Sequence, residues 1–410
     1  MLDQAKKLAP ELTRLRREIH RHPELKFQEI RTGKLVADTL HEIGGFNLRT
    51  GVGKTGVVAE LGYGSGPTIA IRADMDALPI LEQTGAEYTS VNAGVMHACG
   101  HDAHTAMLLG VAHLLKDSFA RDGLQGQVRL LFQPAEEDTD EEGVSGAPRM
   151  IEDGAMAGVD AIIALHVDSN QPVGTISTRA GWYSAAVDTF EAWLTASGGH
   201  GAYPHRSPDP IWMLGPVLTT LHGIVARRVD PMQPAVVSLG QVHAGTTSNV
   251  IPHEVYLHGT LRSFDPQVRE QLIEEVERAL AVVRPLGGDF RLKVYRGYPA
   301  GWNDPGVTNW LAAASADLLG SEAVKETPMG MGAEDFAYLC QEAPGAMMMI
   351  GAAIPDNISR PHHTNIFDLD ERVLPLGAAV LAETARRFLT GELALPQKPL
   401  FAQLETSAQE

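Results

Sequence analysis

Short apolar runs alternate with amphipathic stretches along the first 165 residues of the chain. Apolar positions recur at helical spacing in the amphipathic stretches, whereas the apolar runs have the length of buried strands. Strands that alternate with helices predict an α/β layer with a largely parallel, buried sheet. The predicted helices are 2–20, 28–43, 103–115 and the start of one at 149–153, and the predicted strands are 56–61, 68–71, 128–132 and 161–165.

The pattern changes near residue 186, where longer alternating strands begin. The order from there is strand, helix, strand, strand, helix, strand, which is the ferredoxin-like arrangement. We predict it as a domain of residues 186–297, inserted into a mixed, mostly parallel α/β domain made of residues 1–185 and 298–410. The predicted strands are 187–196, 235–242, 254–262, 290–296 and 346–350, and the helices are 208–228, 266–284, 305–319, 333–341 and 371–391.

The composition is that of an ordinary globular protein, with 44% hydrophobic and 20% charged residues. The formal net charge of −18 argues against nucleic acid or an anionic membrane as a partner. No apolar run approaches the roughly 18 residues that a membrane span needs, and the N-terminal stretch is charged and amphipathic. Two cysteines in 410 residues do not make a disulfide framework, so we expect a cytoplasmic protein.

Metal-ligand side chains follow the apolar strands of the first domain. Sites in open α/β sheets form at the carboxyl ends of the strands, so we expect these side chains to meet there. The segment HACGHDAHTAMLLG adds a cysteine and histidines just before a helix. The residues that follow the strands are Asp74 and Asp76, Glu136 and Glu137, His166, and His362 and His363.

Each of these features has an ordinary structural explanation when it is taken alone. A histidine after a strand can be a hydrogen-bonded core residue, paired glutamates can open a helix, and a cysteine can be a small buried apolar side chain. Together they suit a divalent cation, which needs rigidly held N, O or S donors and an open position for water. Of two neighbouring glutamates, one can bind the cation while the other accepts a proton from water.

The sequence resembles the metal-dependent aminoacylase and amidohydrolase family of peptidases. Within it, the resemblance is strongest to hippurate hydrolases, indole-acetyl-amino-acid hydrolases and N-acetyl-diaminopimelate deacetylases. The matching stretches occur in family order over nearly the whole chain, and together they are highly specific. They are LRREIHRHPELKFQE, IAIRADMDALPI, MHACGHDAHTAMLLG, FQPAEE, ALHV, GGHGAYPH, TTSNVIP, TLRSF and HHTNIFDLDE.

The resemblance implies metal-dependent hydrolysis of N-acyl amino acids, with two divalent ions (Zn or Mn, with Co or Ni possible) and a homodimer formed through the inserted lid domain. The implied metal ligands are Cys99, His101, Glu137, His166 and His363, the last chosen over His362 by its spacing to Phe367. Glu136 is the implied general base, and Asp76 the acid that orients a ligand. In the insert, the resemblance implies an oxyanion role in the partner subunit's site for His200, and substrate-carboxylate contacts for Asn249 and Arg262.

One stretch departs from the family pattern. The paired glutamates are usually followed by a short glycine-rich stretch, but here the acidic segment DTDEE occupies residues 138–142. It is either a solvated surface loop or a device that narrows the pocket and repels strongly anionic substrates.

Other functions are compatible with parts of the pattern. A dipeptidase or carboxypeptidase of the same fold would carry the same ligands. A non-catalytic binding protein could keep the metal site, although only catalysis needs Glu136 beside Glu137. A redox protein built on Cys99 lacks a second cysteine at CxxC spacing.

Overall fold

The computed structural model describes residues 1–63, 66–326, 328 and 330–396 of the chain. In chain order the helices are α1 (Leu2–Arg21), α2 (Ile30–Ile43), α3 (His101–Asp122), α4 (Gly146–Glu152), α5 (Pro210–Arg228), α6 (Pro266–Leu280), α7 (Pro305–Leu319), α8 (Phe336–Glu342) and α9 (Val373–Leu389). The strands are β1 (Asn47–Val52), β2 (Gly56–Tyr63), β3 (Thr68–Asp74), β4 (Gly126–Gln133), β5 (Ala161–Pro172), β6 (Ile176–Thr178), β7 (Gly181–Ser184), β8 (Ala186–Thr195), β9 (Gly199–His200), β10 (Ala235–Ala244), β11 (Val250–Ile251), β12 (Glu254–Ser263), β13 (Asp289–Arg296), β14 (Gly301–Asn303), β15 (Val324–Glu326) and β16 (Gly345–Ala353).

The chain divides into two compact units. Of the described residues, the first unit comprises 1–63, 66–183, 302–326, 328 and 338–396, and the second comprises 184–301 and 330–337. The sequence places residues 330–337 in the second half of the main domain, and the structure groups them with the smaller unit.

The first unit contains a mixed sheet in the order β1-β2-β4-β3-β5-β16-β6-β15. Its four central strands, β4, β3, β5 and β16, run parallel, and they are the strands that the apolar runs predicted. Because they are parallel, their carboxyl ends lie at the same edge of the sheet. Every residue of β3 is buried, as expected for a strand covered on both faces.

From His101 to Leu115, helix α3 is almost entirely buried within the core of the first unit, whereas its C-terminal end is largely exposed. It packs against α1, α2 and α9 and against the central strands, and its apolar residues run from Ala103 to Leu115 without an exposed face. A helix that is apolar all round is typical of the interior of a large domain. The first residues of α3 therefore have a fixed position at the edge of the sheet, which matters for the site described below.

The second unit has the predicted ferredoxin-like topology. Its sheet has the order β10-β12-β8-β13, with every pair antiparallel, and α5 and α6 pack with it around a separate core. The fold class, a mostly parallel mixed sheet with a ferredoxin-like insert, is thereby confirmed.

Several element boundaries differ from the predicted ones for local reasons. Helix α5 begins at Pro210 rather than at residue 208, because the side chain of Asp209 accepts hydrogen bonds from the amides of Ile211 and Trp212. Helix α6 ends at Leu280 and continues as a 3₁₀ turn over Ala281–Leu286. Strand β1 was not predicted, since its sequence NLRTGV is polar and largely exposed at the sheet edge. The weak apolar pattern after Gly391 predicts a loose tail, and residues 397–410 of that tail lie outside the described residues.

Among the described residues, no helix combines the length and the apolar character that crossing a membrane requires.

Candidate metal centre

The predicted ligands of the first unit meet at the carboxyl edge of the central strands. Cys99 precedes α3, whose first residue is His101. Glu136 and Glu137 follow β4, and His166 lies within β5. His362 and His363 lie in the loop between β16 and α9. In chain order, this loop is the last segment that contributes to the site.

Glu137 is the centre of the first group of donor atoms. Its Oε1 lies 3.1 Å from His363 Nε2 and 3.8 Å from His101 Nε2. Glu136 is buried beside it, and a carboxylate oxygen of Glu136 lies within 4.8 Å of the donor atoms of both His101 and Glu137. The carboxylate of Glu137 thus lies near the imidazoles of His101 and His363, and the carboxylate of Glu136 lies next to it.

Cys99 is the centre of the second group. Its Sγ lies 3.4 Å from His166 Nε2 and 3.7 Å from His362 Nδ1. Cys99 also lies within 4.8 Å of the donor atoms of Glu137 and His363, so the thiol belongs to both groups. Two donor groups that share a sulfur atom fit a pair of neighbouring divalent ions, and the mixture of thiolate, imidazole and carboxylate suits transition metals such as zinc.

Hydrogen bonds fix which ring nitrogen each histidine presents. Nδ1 of His101 donates to the carbonyl oxygen of Asp76 at 2.9 Å, and Nδ1 of His166 donates to the carbonyl oxygen of Val167 at 2.8 Å. Each ring therefore presents Nε2 to the cluster. Nε2 of His101 is buried without a hydrogen-bond partner among the described residues, as expected for a nitrogen placed to ligate a metal.

Asp76 connects the two sides of the first group. Its Oδ1 lies 3.2 Å from His101 Nδ1, and its Oδ2 accepts a hydrogen bond from the backbone amide of Glu137 at 2.9 Å. The carboxylate of Asp76 is buried and contacts the Nδ1 side of the His101 ring, not Nε2, which is the arrangement of a group that orients ligands.

The sequence did not predict a supporting role for Asp74 and His104. Asp74 accepts a hydrogen bond from His104 Nδ1 at 2.6 Å and from Arg72 at 2.7 Å. His104 Nε2 accepts the amide hydrogen of Val167 at 3.0 Å, so both of its ring nitrogens are used by the protein. His104 thus supports the backbone next to His166 instead of offering a metal ligand. The sequence HDAH at residues 101–104 was the available signal for His104, because it places this histidine about one helical turn after His101.

The backbone is held in left-handed conformations at three positions around the cluster. Gly100 has φ of 93°, and a Cβ there would lie 2.4 Å from the side chain of Val167, so only glycine fits between Cys99 and His101. Ala135 and His363 have φ of 47° and 61°. Such positions are uncommon for residues with a side chain, and they concentrate at functional sites.

The carboxylates give the cluster a strongly negative electrostatic potential. Burial alone would lower the pKa of His101, but the nearby carboxylates of Asp74, Asp76 and Glu137 raise it to about 10. Burial, together with the charges of Glu137, Glu136 and Asp74, raises the pKa of the Cys99 thiol well above its usual range. The negative charge of the buried carboxylates contributes to both shifts, and a bound cation would balance that charge.

The acidic segment after Glu137 is largely paired with cations. Asp138 lies 2.5 Å from Lys26, and Asp140 lies 2.6 Å from Lys54 and 2.8 Å from Arg149. These pairs favour a charge-balanced surface loop over a barrier against anionic substrates.

The three predicted residues of the insert lie in the second unit. His200 lies on β9 and Asn249 directly precedes β11, the strand that pairs with β9, and both residues are exposed. The amide of Gly201 donates to the carbonyl oxygen of Asn249 at 2.8 Å. Arg262 lies on β12, half-buried, and burial lowers its pKa. Its Nη1 donates to the carbonyl oxygen of Met331 at 3.4 Å.

Known proteins resemble the chain over nearly its whole length. It is 40% identical to thermostable carboxypeptidase 1 of Saccharolobus solfataricus over 92% of this chain and 95% of that protein. It is 40% identical to N-acetyl-L-cysteine deacetylase of Bacillus subtilis over 93% of this chain and 89% of that protein. The crystal structure of a dinuclear metal-binding M20 peptidase from Bacillus subtilis superimposes with a TM-score of 0.81 at 36% identity, covering 94% of this chain and 99% of that one.

Fold, donor set and relatives together define a metal-dependent hydrolase. The family description "Peptidase family M20/M25/M40" matches residues 70–387. The chain belongs to this family, which confirms the resemblance that the sequence motifs indicated.

Proposed function

We propose that this protein hydrolyses the amide bond of N-acyl amino acids, with two bound divalent ions, to give a carboxylic acid and a free amino acid. The observation that carries the proposal is the shared Cys99 thiol between two groups of donor atoms, with Glu136 buried next to the ligating Glu137. The similarity to a deacetylase of an N-acetyl amino acid supports the substrate class.

The proposed ligands are Cys99, His101, Glu137, His166 and His363. The ions are zinc or manganese, with cobalt or nickel as further candidates, since all of them accept mixed nitrogen, oxygen and sulfur donors. His362 is an additional candidate because its Nδ1 lies 3.7 Å from Cys99 Sγ. A bound divalent ion supplies Lewis-acid polarisation of the substrate carbonyl and lowers the pKa of water.

The residues of the chain divide the remaining tasks. Glu136 accepts the proton of the attacking water and returns it to the nitrogen of the leaving amine, which is general acid–base catalysis by one carboxylate. Asp76 keeps His101 and the backbone of Glu137 in place through its hydrogen bonds. The positive charge of Arg262 and the amide of Asn249 are proposed to hold the carboxylate of the amino-acid product.

We further propose a homodimer in which the partner subunit's His200 stabilises the oxyanion. The amide of Ala202 donates to Nδ1 of His200 at 3.0 Å, so the neutral ring carries its hydrogen on Nε2. The exposed Nε2–H is then available as a donor to an oxygen that becomes negative. A location in the cytoplasm fits this chemistry, because a thiolate ligand must stay reduced.

A substrate panel tests the proposed reaction. The protein, loaded separately with zinc, manganese, cobalt or nickel, is assayed for amine release from N-acetyl- and N-benzoyl-amino acids, matching dipeptides, and methyl esters of the acyl amino acids. We expect the acyl amino acids to have the highest kcat/KM, the esters to lose at least about tenfold because they lack the carboxylate, and a chelator to abolish turnover reversibly.

The same panel separates the alternatives. Preference for dipeptides would favour a carboxypeptidase or dipeptidase, which the similarity to a carboxypeptidase makes the leading alternative. Metal binding without turnover of any substrate would favour a non-catalytic binding protein.

Mixed dimers test the role of His200. The variants His200→Ala and Glu136→Gln are each expected to be nearly inactive, because one lacks the oxyanion donor and the other the base. After subunit exchange in a 1:1 mixture, half of the dimers are hybrids with one intact site, so activity should return to about a quarter of the wild-type value. Mixing that restores nothing would show that His200 does not act across subunits.

A further inference from the structure

The N-terminal stretch LRREIHRHPELKFQE contributes none of the proposed ligands or catalytic groups, yet its last residue contacts the turn that carries the paired glutamates. This residue, Glu29, stands at the start of α2 and is fully buried. Its side chain makes no capping bond to its own helix. It instead contacts a segment more than a hundred positions further along the chain, the turn that carries Glu136 and Glu137.

Ala135 is the residue through which Glu29 reaches that turn. Its backbone amide donates to Glu29 Oε1 at 2.9 Å, and its carbonyl oxygen accepts from the amide of Gly146 at 2.9 Å. Ala135 is buried and has φ of 47°, a left-handed conformation that is strained for alanine. The two hydrogen bonds hold this conformation, which sets the direction in which the next two residues leave the strand.

The carboxylate of Glu29 is surrounded by donors. Oε1 also accepts the amide hydrogen of Phe27 at 3.0 Å, and Oε2 accepts the hydroxyl hydrogen of Thr55 at 2.5 Å. Burial and the negative charge of Asp76 raise the pKa of Glu29 to about 7, whereas its hydrogen bonds act in the opposite direction. Glu29 is therefore held in one position by three donors that approach from three separate segments.

We propose that Glu29 is a positioning residue for the paired glutamates: through the amide of Ala135 it fixes the turn that places Glu137 at the metal centre and Glu136 beside it. Glu29 itself touches neither the ions nor the substrate. The proposal rests on the proposed function for its catalytic consequence, but its structural consequence can be measured without any substrate.

Glu24 provides a matched control within the same stretch. Its carboxylate accepts hydrogen bonds from the amides of Arg31 and Thr32 in the first turn of α2, at 2.9 and 2.8 Å. Like Glu29 it is a glutamate that precedes α2, but its side-chain hydrogen bonds go to the first turn of that helix. Substitution of Glu24 therefore reports the effect of a weaker α2 alone.

The experiment compares Glu29→Met, Glu29→Asp and Glu29→Gln with Glu24→Met. Methionine keeps the volume of Glu29 but removes the acceptor, and aspartate keeps the charge but withdraws the acceptor from Ala135. Glutamine keeps the acceptor oxygen and can donate its amide hydrogen to Thr55. The first measurement is hydrogen exchange of the peptide spanning residues 133–137 in metal-free protein, and the second is Co²⁺ affinity followed by the thiolate-to-metal absorption. The third is kcat and KM at saturating metal.

We expect Glu29→Met and Glu29→Asp to accelerate exchange of that peptide and to weaken Co²⁺ binding or lower kcat by roughly 10–100-fold, with KM changed less than about threefold. Glu29→Gln should stay within about threefold of wild type, and Glu24→Met should lower Tm without moving any of the three readouts. Because aspartate still suits a helix start, this variant remains informative if the methionine variant does not fold.

Two outcomes would overturn the proposal. One is unchanged exchange, Co²⁺ affinity and kcat in the folded Glu29 variants, and the other is equal losses in Glu24→Met. If wild-type protein hydrolyses no substrate of the panel, the proposed function fails, but the exchange and Co²⁺ measurements still decide the role of Glu29.

Discussion

Replacing Glu136 with glutamine is expected to lower kcat by about 10²–10⁴-fold while both ions stay bound. Glutamine has nearly the same shape as glutamate but cannot accept the proton of water. Glu136 is buried, and one of its carboxylate oxygens lies within 4.8 Å of the donor atoms of His101 and Glu137, so the lost proton acceptor is adjacent to the site. The measurement is kcat on the best acyl amino acid, with metal content determined on the same sample.

Glu137→Gln is the matched control for that prediction. It changes the neighbouring residue in the same chemical way, but Glu137 Oε1 lies among the imidazoles of His101 and His363. Its substitution should therefore lower metal affinity as well as turnover. If Glu136→Gln kept more than about a tenth of wild-type kcat, or lost its metal as Glu137→Gln does, the assignment of the base would be wrong.

The second large effect is expected for Cys99→Ala, which should lose both ions together. The Cys99 thiol belongs to the group with His166 and His362 and also to the group with Glu137 and His363. Because one sulfur serves both groups, affinity for each ion should fall by more than the roughly 10–100-fold that loss of an outer hydrogen-bonding partner typically costs. Elemental analysis after dialysis against limiting metal gives the number of ions per chain.

Cys340→Ala is the control for that experiment. Cys340 is also buried in the first unit, on α8, so alanine leaves a comparable small cavity there. We expect this variant to keep its metal and activity and to lose only stability. Loss of one ion alone in Cys99→Ala would show that the thiol serves a single ion.

The sequence predicted the parts of the fold whose signal is local. The four central strands are short apolar runs because both faces of the sheet are covered, and the helix after Cys99 is apolar all round because it is buried. The meeting of ligand-type side chains was predictable because parallel strands end at one edge, where residues that follow strands far apart in sequence come together. The choice of the proposed ligands among them came from the resemblance to the family. The ferredoxin-like order could be deduced from the sequence of strands and helices in the same way.

Other features depended on contacts between distant segments. Nothing around Glu29 shows that its carboxylate binds the amide of Ala135, 106 positions later. The position of His362 beside Cys99 depends on the path of a loop, and the roles of Asp74 and His104 depend on which of their atoms are already used by Arg72 and Val167. Strand β1 is polar and exposed, so hydrophobic periodicity could not reveal it.

The wide separation of the donors along the chain has a consequence for folding. Cys99 and His362 are 263 positions apart, and in the folded chain their side chains lie 3.7 Å from each other. An unfolded chain cannot assemble such a set of donors, so the ions bind the folded state selectively and raise its free energy of unfolding. At a metal concentration 1,000 times the dissociation constant, the gain is about 4 kcal/mol for each independent ion. In a cell, scarcity of metal would then abolish the activity of this protein and also shorten the lifetime of its folded state.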